Sequence, residues 1–126
     1  MEAFYKSVLE SDKAPIVLCS MKHEIVYMNA SAAKRYEKEG GFGLIGSSLL
    51  DCHPSWANEL ILKTLAWFAE SHEHNVIHTF FNDKENKDVY MIALRDDAGN
   101  LIGYYEKHAY RNRDVMPLYD FLNHSD

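Results

Sequence analysis

The segment "LLDCHPSW" (49–56) sets a thiol, Cys52, beside an imidazole, His53, with Pro54 directly after. Nucleophilic catalysis would make Cys52 the nucleophile and His53 its base. It needs the two groups within hydrogen-bond reach and a third group to orient the base. Adjacent residues rarely point at each other, and no orienting group is evident. Two other readings compete. In one, the segment is a structural corner. Cys52 then fills a small apolar site, and His53 bonds nearby backbone where a helical turn meets Pro54, with Asp51 as a cap. In the other, Cys52 or His53 touches a ligand, holds a haem iron or reports redox state.

A second group of imidazoles stands in "SHEHNVIH" (71–78). On a strand, positions 72, 74, 76 and 78 share a face, so a metal site is conceivable. His72 and His74 fall at a helix-to-strand junction, however, where side chains are usually exposed, and Glu73 reads as a solvated turn residue. His78 is different. It sits mid-strand near Ile77 and Phe80, and so is expected to face the interior, as a satisfied core histidine or as a ligand contact. "GGFGLIG" (40–46) is no phosphate loop, because it lacks the Lys-Ser/Thr ending and follows no strand.

These residues need elements to hold them. "EAFYKSVLES" (2–11) puts Phe4, Val8 and Leu9 on one helical face. "APIVLCS" (14–20) and "IVYMN" (25–29) read as a strand hairpin across the polar turn "MKHE". Asn29 is a strong N-cap for "ASAAKRYEKE", and Gly40-Gly41 stops that helix. "SSLLDC" (47–52) reads as a short helical turn begun by Ser47 or Ser48. A longer helix over 55–71 follows Pro54, with Leu60, Leu62, Leu65, Trp67 and Phe68 on a broad apolar face. Trp67 and Phe68 are adjacent, so one of them must reach another element.

Three strands close the chain, at 75–82, 88–96 and 101–110, with Gly99 supplying a positive-φ turn. Tyr90, Ile92 and Leu94 share one strand face. On the last strand Ile102, Tyr104, Glu106, His108 and Tyr110 share one face, and Leu101, Gly103, Tyr105, Lys107 and Ala109 the other. Large apolar groups on both faces predict that one covers the core and the other meets a terminal helix or a second subunit. In the tail, Val115, Leu118, Tyr119 and Leu122 suggest a short helix broken near Pro117. The parts are an N-terminal helix (1–12), one domain (13–110) and a tail (111–126).

Composition narrows the classes further. The chain has 126 residues, 47% of them hydrophobic and 13% aromatic, enough for one packed core. The net charge of −6, with no longer basic stretch than "YRNRD" (110–114), argues against nucleic acid. Two cysteines do not make a disulfide scaffold. No stretch reaches membrane-spanning length and no secretory signal opens the chain, so a cytoplasmic protein is expected.

The order and its landmarks resemble a PAS domain over about residues 10 to 110. The landmarks are "APIVLCSMKHEIVYMN", Asn29 before a helix, "LIG" (44–46) and "GYYEKHAY" (103–110). The segment "LIGSSLLDCHPS" is similar to the "IG…V…CHP" segment of PAS domains fused to hemerythrin-like domains, with Ser55 where those carry a second proline. The resemblance implies an α+β fold, a five-stranded antiparallel sheet with helices on one face, plus short N- and C-terminal helices. It also implies a cavity bordered by the Cys52-His53 corner. Three functions follow as expectations. One is a stand-alone, non-enzymatic sensory module that binds a small apolar or planar ligand, with Cys52, His53, His78, Tyr90 and Tyr104 as contacts, and signals to a separate effector protein. The second is a haem sensor, although haem-binding relatives place the histidine on the long helix, which has none here. The third is a ligand-free interaction module. A homodimer formed through the N-terminal helix is expected in keeping with the family.

Overall fold

A computed structural model describes residues 1–119 of the chain, with the backbone alone at Cys52. Helix α1 (Glu2–Ser11) leads into the hairpin β1 (Val17–Ser20) and β2 (Ile25–Met28). A short α2 (Ala30–Arg35) and three 3-10 turns (Glu37–Glu39, Gly41–Leu44 and Leu49–Cys52) follow. Then come α3 (Ser55–Glu70), β3 (Val76–Asn82), β4 (Lys87–Arg95) and β5 (Leu101–Tyr110). The strands form one five-stranded sheet in the order β2-β1-β5-β4-β3, antiparallel throughout. The first and last strands of the chain thus meet at the centre, with Cys19 opposite Tyr104.

Register assigns the faces, since directly paired residues share a side of the sheet. Cys19, Tyr104 and Ala93 lie in one row, and Met91 and Glu106 in the next. This is the inner face. Cys19, Ile25, Met28, Met91 and Tyr104 pack there with Ala32 of α2 and with Leu65 and Phe68 of α3 into the main core cluster. The alternate residues, among them Ile92, Tyr105 and Lys107, form the outer face. Gly103 is required where β5 pairs with β1, because a Cβ there would overlap the Cys19 carbonyl oxygen. Gly99 makes the β4–β5 turn at φ +86, as its sequence setting predicts.

Asn29 does more than cap α2. It is fully buried. Its Oδ1 accepts from Ala32 N at 2.9 Å and Ile16 N at 3.0 Å. Its Nδ2 donates to the carbonyls of Leu9, Asp12 and Ala14. One amide thus ties α1, the approach to β1 and the start of α2 together. This matters because α1 has no buried residue of its own.

A second clamp holds α3 to the sheet. Arg95 donates from Nε to Asn75 Oδ1, from Nη1 to Gly99 O, and from Nη2 to Phe68 O, Ser71 O and His74 O. Among the last carbonyls of α3, which lack helical partners, that of Phe68 is satisfied in this way, together with those of the cap residue Ser71 and of His74. Trp67 and Phe68 part as their adjacency requires. Phe68 is fully buried, and Trp67 stacks on His74 with ring centroids 3.9 Å apart.

Residues 111–119 carry no helix, against the expectation for the tail. Pro117 lacks the N–H a helix would use and disfavours helical geometry before it. Leu122 lies outside the described residues. No helix among the described residues is long and apolar enough to cross a membrane.

Candidate functional site

A cavity of about 220 Å³ lies between the inner face and the segments that cross it. Its floor is apolar: Val17 and Cys19 from β1, Ile25 and Met28 from β2, and Met91 from β4. Leu44, Leu49 and Ile61 form the roof. Tyr36 and Glu39 come from the end of α2 and the turn after it, and His53 from the end of the turn that precedes α3. From β5, Tyr104, Tyr105, Glu106 and His108 line the cavity.

The polar groups fall into two sets. Near the hairpin, the Tyr104 hydroxyl lies 2.9 Å from His23 Nδ1, and Cys19 stands opposite Tyr104 on the neighbouring strand. Burial pushes the Cys19 thiol up to about 11, opposed by Tyr104, and burial also raises the Tyr104 phenol. Both groups are therefore neutral near pH 7, and Cys19 is no thiolate nucleophile.

The other set lies along β5 toward its C-terminal end. The His108 side chain is only 6% exposed, and its Nε2 stands 3.3 Å from Glu106 Oε1. Its Nδ1 is buried without a hydrogen-bond partner among the described residues. Glu106 is half exposed and Glu39 exposed, so the cavity opens to solvent here. Burial, and then the Glu106 charge, raise the Tyr36 phenol.

The residues singled out in the sequence separate. Tyr104 and His53 line the cavity. His53 is exposed, with its Nδ1 2.9 Å from Leu49 O. This is the backbone contact expected of a structural corner. Ser48, not Asp51, caps the turn, its hydroxyl accepting from Leu50 N. Cys52 ends that turn.

His78 and Tyr90 do not line the cavity. They sit opposite each other on β3 and β4, in the row that alternates with inward Met91, and so belong to the outer face. His78 Nε2 is 2.9 Å from Asp88 Oδ1 and its ring packs on Tyr90 at 4.9 Å. Arg111 bonds both Asp88 and Tyr90. The expectation failed because Ile77 takes the inward position beside His78. His74, whose Nδ1 lies 2.7 Å from Trp67 O, sits apart from His78 in its own contact. Glu106 and His108 also line the cavity, and their alternation with Tyr104 along the strand is the sequence signal for an inward position.

Haem does not fit. A cavity of roughly 150 Å³ takes a single benzene ring; about 220 Å³ takes a ligand little larger, and four linked pyrrole rings need several times that space.

No protein-family model matches the chain, and no curated protein matches it. Solved structures do. The C-terminal domain of a protein from Streptococcus mutans superposes with TM-score 0.63 at 20% identity, over 84% of this chain and 81% of that one. The PAS domain of a Colwellia psychrerythraea protein gives 0.62 at 9% identity, over 87% and 96%. A sensory box sensor histidine kinase structure from Vibrio cholerae gives 0.57 at 15% identity, over 89% and 93%. The chain has the PAS fold.

Proposed function

We propose that this PAS-fold chain is a non-enzymatic sensory module that binds a single-ring or short-chain ligand inside its sheet-and-helix cavity. The observation that carries the reading is the cavity itself, with its apolar floor and roof and a polar rim confined to a few side chains. Such a lining is what small-molecule sites generally present. The volume favours the small end of that class. The relation in fold to a sensor histidine kinase supports a signalling role. The "DCHP" corner, similar to that of hemerythrin-fused PAS domains, contributes His53 to the wall. The free, buried Cys19 suits a reducing compartment such as the cytoplasm.

Output would pass through the sheet. Strand β5 carries Tyr104, Glu106 and His108 inward and Tyr105 and Lys107 outward, so a ligand that prefers one setting of β5 shifts the outer face with it. Phe4, Tyr5 and Val8 of α1 are exposed, which favours a homodimer through α1 and an effector that reads the dimer.

Toluene serves as a neutral probe. Titrated into the protein and followed by methyl NMR, it should give saturable shifts at Ile25, Met28, Ile61 and Met91, and Ile61→Trp should remove them. No saturable shift at millimolar toluene would overturn the ligand reading and leave a ligand-free interaction module. Sedimentation tests the dimer: the wild type should be dimeric and Phe4→Glu/Val8→Glu monomeric. A monomeric wild type would sink that arrangement.

A further inference from the structure

Sulfur is unevenly placed in this chain. Of the five methionines, Met1, Met21 and Met116 are exposed, while Met28 and Met91 are buried. Both buried ones line the cavity, and so does the buried Cys19. Three of the five floor residues therefore bring sulfur to the site, each from a different strand. The floor holds no charged side chain, so a charge set on it would go unpaired. Tyr36 and Tyr104 add two aromatic rings to the lining.

A methionine in a core ordinarily fills an irregular gap, because its three rotatable bonds let it adapt. Here the gap stays open. About 220 Å³ remains beside the two thioethers, so filling is not what they accomplish. Thioether sulfur is polarizable and attracts the edge of an aromatic ring at about 5 Å, and each such contact changes affinity by about two- to ten-fold. Aromatic rings also favour edge-to-face or offset contact with one another, which Tyr36 and Tyr104 offer. A saturated ring gains the same burial but neither of these contacts. The space suits one substituted ring, since roughly 150 Å³ holds benzene.

We propose that the cavity selects a neutral molecule with a single aromatic ring over its saturated counterpart, and that Met28 and Met91 make the selection. The ring would rest on the sulfur-bearing floor, with Tyr36 and Tyr104 around it. Both methionine side chains can re-seat, so rings with different small substituents are accepted. The inference rests on the ligand-binding reading above and adds the class of ligand to it.

Toluene and methylcyclohexane test this by methyl NMR. They are delivered through the vapour at equal fractions of saturation, so that their unequal hydration cancels. Toluene should bind the wild type about five-fold or more above methylcyclohexane, and its ring current should shift the Met28 and Met91 methyls. Met28→Leu/Met91→Leu removes both sulfurs at nearly constant volume. Read at Ile25 and Ile61, it should hold methylcyclohexane within about two-fold of the wild type and bring toluene down to the same level. If the double variant does not fold, each single Met→Leu variant should lower the preference about two-fold. Equal or tighter binding of methylcyclohexane to the wild type overturns the proposal and leaves the cavity a ligand site. A toluene preference undiminished by the leucine substitutions overturns the role of the thioethers. If neither hydrocarbon binds, the proposal and the ligand reading fall together.

Discussion

Arg95 and His108 are both polar groups enclosed against the inner side of the sheet, and they differ in how completely they are answered. All three guanidinium nitrogens of Arg95 donate, to five oxygens drawn from α3, the segment after it and the β4–β5 turn. His108 leaves a ring nitrogen unpaired beside a cavity. A polar cluster closed on itself fixes a structure, whereas one left partly unanswered keeps a desolvation cost. Substitution should therefore move stability in opposite directions at the two sites.

The largest effect is expected at the closed one. Arg95→Leu strands the carbonyls of Phe68, Ser71 and His74 and frees the end of α3 from the sheet. Hydrogen bonds to a charged group contribute about 1.5–3 kcal/mol each and are not additive, so a loss of about 3–4 kcal/mol is expected. Urea denaturation measures it. A loss below about 1 kcal/mol would mean that water replaces the clamp and would remove one side of the comparison.

Asn29→Ala comes next, at about 2–3 kcal/mol, the loss of a cap together with four further hydrogen bonds that are buried or partly buried. Its signature is regional. Because α1 is attached chiefly through Asn29, limited trypsin digestion should cut at Lys6 and Lys13 in the variant well before the sheet is attacked. Uniform digestion would show α1 to be held by other contacts.

Asn29 also shows what the sequence discloses and what it conceals. Its role as a cap is local, readable from the residue type and the helix after it. Its bonds to Leu9, Asp12 and Ala14 depend on how α1 returns over the hairpin, which no spacing encodes. The strands, the long helix and the positive-φ turn at Gly99 are likewise local patterns and could be read. The alternation of Tyr104, Glu106 and His108 along one strand face is legible in the sequence, but charged and polar side chains are normally exposed, so the pattern alone does not mark Glu106 and His108 as cavity residues. His78 misled for the converse reason. Apolar neighbours suggest an interior position, but on a strand the neighbour at one remove points the other way. Deciding which face is inner needs the sheet register, and that comes from β1 pairing with β5 across most of the chain.

A smaller effect is expected at Glu85, between the two regions in character. The Arg35 hydrogen bond, with help from Lys87, holds its carboxyl down at about 2, against an ordinary 4.5. A carboxylate whose folded value is depressed contributes stability above its unfolded value, and that contribution is lost as pH falls through the folded one. The wild type should thus lose this part of its stability between about pH 4.5 and pH 2. Glu85→Gln should cost about 1 kcal/mol at pH 7, since the carboxylate is partly exposed, and should flatten that stretch of the stability–pH curve. The loss should exceed that of an ordinary surface pair because Lys87, only 1% exposed, is left without its carboxylate. An unchanged curve would show that the Arg35–Glu85 pair contributes nothing.

The smallest change in stability, and the most informative, is expected at His108 itself. Replacing the ring by leucine removes a buried ring nitrogen that has no partner among the described residues, so its desolvation cost disappears while apolar contact is kept. His108→Leu should therefore lie within about 1 kcal/mol of the wild type, on the stable side if it departs at all, where Arg95→Leu loses several times as much. If His108→Leu instead unfolds as readily as Arg95→Leu, the imidazole is as much a part of the framework as the guanidinium, and the distinction between a closed and an open polar cluster does not hold in this molecule.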